Sequence, residues 1–184
     1  MGGSMFGTTG RFDLRSLGLL DGDPDPAFVH AVDLAHRTTR TEAATLAIAD
    51  FDEGVVRVRA HAGALPAPLA SLAVPLDRSL FGTLGSSSQP FAVTGAVRDP
   101  RTRSNPFVRT LAAESLIGAP VFCPAEVPVG YVVAYDTAVR IWSAEDRARL
   151  AAAAFFCTQA ILLRAALETV KILWRETARH SGMT

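Results

Sequence analysis

Two pairs of apolar runs stand so close together in the chain that they fix the kind of sheet it can build. ATLAIAD (44–50) is followed by VVRVRAHA (55–62) after only Phe51, Asp52, Glu53 and Gly54, and LIGAPVFC (116–123) is followed by VGYVVAYD (129–136) across PAEVP. A parallel crossover needs a dozen residues or more, whereas a tight turn joins antiparallel neighbours, so both pairs read as hairpins. The first run is almost wholly apolar, as in a strand covered on both faces. The second alternates Val56, Val58 and Ala60 against Arg57, Arg59 and His61, as in a strand with one exposed face. The strand–helix alternation of a doubly wound nucleotide-binding fold is missing.

The segments around the hairpins complete an α+β pattern. Asp25 and Pro26 can cap and start a helix carrying Phe28, Val29, Val32, Leu34 and Ala35 and stopping near Arg40. SLAVPL (71–76) reads as an edge strand because Pro75 lacks a ladder donor. LFGTLGSSS (80–88) reads as a short helix fraying at Gly85, and FAVT (91–94) as a strand. In AVRDPRTRSNPFV (96–108), Pro100 and Pro106 exclude both strand and helix interiors, and Asn105-Pro106 initiates one or two helical turns over 107–114. Ser143 with Asp146 forms a capping-box-like start for a final helix through Ala151, Phe155, Ile161, Leu163, Leu167 and Val170 to about Trp174. At the α-helical rise, some 35 residues span roughly 50 Å, more than the width of one small domain. The expected fold is an antiparallel five- or six-stranded sheet with helices on both faces and a long C-terminal helix. Residues 1–24 are expected to be a tag remnant and N-terminal linker. DGDPDP (21–26) within that stretch lacks the Gly and closing Glu of a calcium loop.

Composition narrows the function classes. Lys and Arg number 18, as do Asp and Glu, and this balance argues against a nucleic-acid binder. Two cysteines, Cys123 and Cys157, are too few for a disulfide framework or a four-ligand zinc site. His30 and His36 are six apart and share no helix face as an i, i+4 pair would, so no metal site is expected from them, from His61 or from His180. His180, beside Gly182, reads as a solvated tail residue rather than a phosphoacceptor. Gly82 to Ser88 lacks the Lys of a phosphate-binding loop and reads as a flexible connection. The stretch Ala151–Leu163 is too short to span a bilayer, and no secretory leader is visible. The expectation is a cytoplasmic protein with no cofactor, no membrane partner and no nucleic-acid partner.

Three segments carry a family resemblance: AVRDPRTRSNPFV (96–108), SLIGAPVFCPAEVPVGYVVAYD (115–136) and IWSAEDRARLAAAAFFCTQAI (141–161). In this order they resemble a GAF domain, a small PAS-like sensory module of bacterial signalling proteins, over Phe28 to about Leu167. The resemblance implies a GAF domain over 25–168, with 169–184 extending the C-terminal helix and forming a tail. It implies that the arginine-rich loop and its helix cover one sheet face as a lid over a small pocket. The candidate ligand-binding residues are then Phe91, Val93, Phe107, Val108 and Leu111, with Arg98 or Arg109 anchoring an anionic small molecule. Tyr131 and Tyr135, which share a face by period two, would line the pocket or pack beneath helices. The loop arginines have two further readings, as salt bridges that order the lid and as a patch for a partner protein.

GAF proteins that reduce methionine sulfoxide place cysteines around the pocket, whereas here the lid has none; those that attach a bilin pair Cys with His, which this chain does not. The cyclic-nucleotide signature is also absent, since Pro106 and not Lys follows Asn105. The expected function is therefore a non-catalytic sensory domain. It would bind a small molecule beneath the 96–114 lid and signal to an effector domain or partner protein through dimeric terminal helices. Leu163, Ala166 or Leu167, Val170, and Leu173 or Trp174 recur at coiled-coil spacing and would form the dimer seam. The alternatives are a ligand-free dimerisation or protein-interaction module and, in third place, a methionine sulfoxide reductase.

Overall fold

A computed structural model describes residues 13–84 and 88–181 of the chain. Residues 1–12 of the expected tag remnant and linker, the loop at 85–87, the side chains of His180 and Ser181 and the last three residues lie outside what it describes.

Helix α1 (Pro26–Thr39) begins where the sequence places it. The Asp25 carboxylate accepts from the Ala27 amide at 2.7 Å, and Arg40, in the left-handed region, ends the helix by donating to the His36 carbonyl. The first hairpin is β1 (Ala43–Asp50) and β2 (Val55–Gly63), and the second is β5 (Ser115–Phe122) and β6 (Pro128–Asp136). β3 (Ala73–Pro75) and β4 (Phe91–Thr94) complete one antiparallel sheet in the order β3-β2-β1-β6-β5-β4. The two hairpins thus meet through β1 and β6 at the centre of the sheet, and β1 is buried at every position but Ala47. Gly130 makes this junction possible, because a Cβ there would stand 2.3 Å from the Ala47 carbonyl oxygen.

The sheet has a covered layer on each face. α1 and α5 (Ala144–Ser181) pack on one, against Leu46, Ile48, Ile117, Ala119, Val132 and Ala134. On the other, α3 (Leu80–Leu84) and α4 (Pro106–Thr110) cover Val93, Leu116, Tyr131, Val133 and Tyr135. The period of two along β6 sends Val132 and Ala134 to one layer and Tyr131, Val133 and Tyr135 to the other in this way. α5 starts on the anticipated reciprocal cap: the Asp146 amide donates to Ser143 Oγ at 3.0 Å and the Ser143 amide to Asp146 Oδ2 at 3.1 Å.

Several expectations are corrected. A short helix α2 (Ala67–Ala70) and a 3-10 turn (Leu76–Arg78) flank β3, which shrinks the expected strand to three residues at the sheet edge. α4 stops at Thr110 and not 114, because Ala112 takes φ +49° and breaks the helical path. α5 runs to Ser181, past Trp174. By length and composition it is one helix long and apolar enough to cross a membrane, which the stretch Ala151–Leu163 alone does not suggest; a third of its most apolar window is buried in the domain. Within the segment read as linker, Leu17, Leu19 and Leu20 are buried in the layer beneath α1 and α5.

Candidate functional site

The lid is ordered by its own short-range hydrogen bonds. Gly95, at φ +73°, turns the chain out of β4, and the amides of Gly95 and Ala96 both donate to the Glu114 carbonyl, at 2.6 and 3.0 Å, closing the base of the loop. Inside it, the amides of Thr102 and Arg103 donate to the Asp99 carbonyl, and the buried Thr102 hydroxyl donates to the Ala96 carbonyl at 2.7 Å. The Asp99 carboxylate takes the Arg101 amide at 2.8 Å and the Arg101 guanidinium at 2.6 Å, and these hydrogen bonds hold the carboxyl below its ordinary pKa. Asn105 then caps α4 by accepting from the amides of Phe107 and Val108 at 3.0 and 3.3 Å, while its Nδ2 donates to the Arg78 carbonyl at 3.1 Å. This last bond ties the lid to the turn before α3. Phe107 is laid flat on Tyr135, with ring centroids 6.0 Å apart and planes at 21°.

Beneath the lid the space is almost full. A cavity of about 30 Å³ remains, lined by residues that include Thr45, Ala47, Ser79, Phe81, Asn105, Phe107, Tyr131 and Tyr135. That is room for a water or two, against some 300–1,000 Å³ for a small-molecule site. Aromatic rings fill the rest. Phe81 meets Phe51 and Tyr131 edge-on at 5.7 and 5.8 Å, and Phe91 leans on Tyr131 at 5.2 Å while covering Gly118, where a Cβ would collide with its ring.

The polar groups at the cavity are committed to the protein. Ser79 Oγ donates to the Leu76 carbonyl and accepts from the Gly82 amide, Asn105 is engaged as described, and Thr45 bonds to Tyr135. Burial pushes the Tyr131 phenol up to about 12, and burial raises Tyr135 against the effect of its bond to Thr45, so both are neutral hydroxyls.

Of the residues expected to bind a ligand, Phe107, Tyr131 and Tyr135 line the cavity. Val93 and Val108 are buried in the same lid-side layer, with Phe91 and Leu111 packed against it. Arg98 and Arg109 are not part of the lining. The Arg98 side chain is 78% exposed and pairs with Glu114 at 3.6 Å, and Arg109 projects from α4 into solvent. Sequence reasoning missed Thr45, Ser79, Phe81 and Asn105 as lining residues. Thr45 carried a usable signal, because it is the one polar residue in the buried run of β1 before Asp50.

The cysteines lie across the sheet from the cavity. Cys157 is fully buried on α5 in the helix layer, where burial, with the charge of Asp25 adding to it, pushes the thiol up to about 12; Cys123 is half-buried against the same layer. Among the described residues no group of three His, Cys, Asp or Glu side chains could hold a metal.

α5 presents the second candidate surface. Its sheet-facing side buries Leu150, Ala153, Ala154, Cys157, Ile161 and Ala165. Its opposite side carries Ala152, Phe156, Gln159, Leu163, Ala166, Val170, Leu173 and Thr177, spaced alternately four and three residues apart. Phe155, Leu167 and Trp174 flank this stripe, and its large apolar members are exposed: Phe156 by 57%, Leu163 by 62% and Trp174 by 75%. The exposed apolar stripe thus begins some three turns before Leu163, where the expected seam starts, and runs alongside the sheet.

A comparison with curated proteins found no match. Among solved structures, the chain is similar to the GAF domain of the phosphoenolpyruvate-protein phosphotransferase of Acinetobacter (TM-score 0.63, 15% identity, covering 85% of this chain and 94% of that one). It is also similar to the blue-light absorbing form of the PixJ GAF domain of Thermosynechococcus elongatus (TM-score 0.63, 16% identity, 84% and 92% covered). A third is the free methionine-R-sulfoxide reductase of Neisseria meningitidis in complex with its substrate (TM-score 0.60, 13% identity, 77% and 78% covered). These identities speak for the fold alone. The family model for the GAF domain matches residues 23–161, most of the chain, and together with the six-stranded antiparallel sheet and its lid this shows that the chain belongs to the GAF domain family.

Proposed function

We propose that this GAF domain is a non-catalytic regulatory module that acts as a homodimer joined along α5, with its lid-side cavity closed. The observation that carries the reading is the apolar stripe on α5, which runs from Ala152 to Thr177 at coiled-coil spacing and is uncovered in a single copy. A helix apolar on both faces is one buried on both faces. The sheet covers one side of α5, and a second α5 of the same chain offers a self-complementary surface for the other, as a two-fold interface requires. Dimer geometry would then pass along the helix to an effector domain or partner protein.

The cavity supports a ligand-free state. Its volume admits little more than a water, and its hydroxyl and amide groups already have protein partners. The substrate-bound reductase among the structural neighbours does not extend to this chain as an activity, because Cys157 is buried and protonated and both thiols lie on the far side of the sheet from the lid.

Sedimentation equilibrium of the chain and of L163E/V170E tests the proposal. The expected result is a dimer that becomes a folded monomer in the variant, with native mass spectrometry giving the apo mass. A wild-type monomer at every concentration, or a dimer indifferent to both substitutions, overturns the dimer. A retained small molecule overturns the ligand-free state.

A further inference from the structure

We propose that residues 13–23 form a strap that opens and closes together with the last buried turns of α5, with Arg164 as the pin between them, so that the strap sets where α5 leaves the domain. The strap is held by its side chains and by its carbonyls. Leu17, Leu19 and Leu20 are buried in the same layer as Ile161 and Ala165 of α5. Arg164 Nη1 donates to the carbonyls of Leu17 and Gly18 at 3.1 and 3.4 Å, and its other nitrogen pairs with Asp25. Gly18 takes φ +66° at this point, a turn that an L side chain would strain. Asp25 caps α1 with its remaining oxygen, and the Arg164 guanidinium stands 5.8 Å from the Phe28 ring. One α5 side chain thus closes the strap, the start of α1 and α5 into a single knot.

The far end of the strap is fastened to the sheet by two more arginines. Arg59 of β2 donates to the carbonyls of Leu20, Asp21 and Gly22 at 3.3, 2.9 and 3.1 Å. Arg15 of the strap reaches Asp50 at 2.8 Å and Glu53 at 3.0 Å at the turn between β1 and β2, and Asp21 at 2.5 Å.

The position of the knot on α5 gives it its consequence. Among the described residues Ala165 is the last buried one of α5, and from Ala166 to Arg179 every side chain but the half-buried Glu168 is exposed. With the strap lifted, the layer that holds Ile161 and Ala165 loses Leu17, Leu19 and Leu20, and Arg164 loses two carbonyl acceptors, so the hold of the domain on this turn of the helix weakens. The adjoining exposed face there is Leu163 and Ala166, within the proposed dimer seam.

Hydrogen exchange read by mass spectrometry tests this in the whole chain, with R164M at the pin and R15A at the remote end. Among the described residues Arg15 pairs with Asp21, Asp50 and Glu53, none of them on α5, and Arg57 remains beside Asp50 in R15A, so this variant perturbs the strap without touching α5 directly. Both variants are also made in the L163E/V170E background, which removes any contribution from pairing of α5 with a second copy. Each variant is expected to speed exchange at residues 14–20 and 158–166 together, by roughly tenfold or more, the scale of a lost charge-assisted hydrogen bond. The centre of the sheet should stay protected. Faster exchange in the strap with 158–166 unchanged overturns the coupling, and so does unchanged exchange in both segments. Because the readout survives in the monomeric background, its failure is distinct from failure of the dimer.

Discussion

Phe81→Ala is the sharpest test of the closed cavity. The Phe81 side chain is 7% exposed and plugs the space between α3 and the sheet, edge-on to Phe51 and Tyr131. Burial of a phenylalanine contributes about 1.5–3 kcal/mol, and each of the two aromatic pairs adds about 0.5–1.5 kcal/mol. Truncation should therefore cost about 3–5 kcal/mol, in line with the range for core Phe→Ala changes. The vacated ring joins the existing cavity of about 30 Å³. The enlarged space approaches the ~150 Å³ of an engineered apolar cavity that binds benzene. Urea unfolding gives the stability loss. Thermal unfolding with and without benzene gives occupancy, since a ligand of the native state alone raises stability by mass action. Wild type should show no benzene shift and the variant a clear one. A loss below about 1 kcal/mol, or wild-type protein stabilised by benzene as strongly as the variant, refutes the reasoning, because either result means the space under the lid is open in solution.

Three further outcomes follow from the same geometry. Asn105→Ala should lower stability by about 2–3 kcal/mol in urea titration, since it orphans two buried amides and the Arg78 carbonyl together, whereas R98A and R109A should each stay within about 0.5 kcal/mol of wild type. Burial raises the Asp146 carboxyl, but bonds from the Ser143 hydroxyl and amide and from Arg140 outweigh it and leave the pKa lowered. A lowered folded value means a stabilisation fully present above the unfolded value of about 4 and lost as pH falls through the folded one. Ser143→Ala should accordingly cost about 1 kcal/mol at neutral pH, with a smaller difference from wild type in urea at pH 3. Cys157, with its thiol pushed up to about 12, should react with a thiol reagent only at the rate of unfolding, while half-buried Cys123 reacts in the native state.

The strands were legible because their signals are local. Short links make hairpins, a period of two assigns Tyr131 and Tyr135 to one face, and Pro75 marks an edge. The caps at Asp25, Asn105 and Ser143 were legible for the same reason, each being a side chain bonding to an amide two or three residues ahead. The direction of the lid arginines was not, because it depends on how Gly95 and the Asp99 turn orient the loop against a sheet built from distant residues. Leu17, Leu19 and Leu20 have no helical or strand period; turns bring them inward, and distant side chains, Arg164 on the Leu17 carbonyl and Arg59 on that of Leu20, help to hold them there. The exposed apolar stripe on α5 was half visible for a different reason. Within Ala151–Leu163 both faces are apolar, so the stripe at Phe156, Gln159 and Leu163 merges with the buried face at Cys157 and Ile161, and the period emerges only past Ala165.

The two faces of the sheet differ in what they leave undone, and the difference bears on where regulation would enter. On the lid side, six aromatic rings, a capped helix and hydroxyls bonded within the protein leave only a small cavity among the described residues. On the helix side, Phe155, Phe156, Leu163, Leu167, Val170, Leu173 and Trp174 all stand about half exposed or more on one helix. Burying apolar side chains is the dominant favourable contribution to folding and association, so the larger unspent free energy lies along α5. A signal that acted through the lid would have to displace close-packed rings at several kcal/mol each. One that acted through the strap would also have to lift Leu17, Leu19 and Leu20 from the core, besides breaking the charge-assisted bonds of Arg15, Arg59 and Arg164, but it would act through Arg164 beside the turn where α5 parts from the domain. On the reading proposed here, the strap and the seam are the input and output of one helix, and the sheet is the rigid block against which the strap holds it.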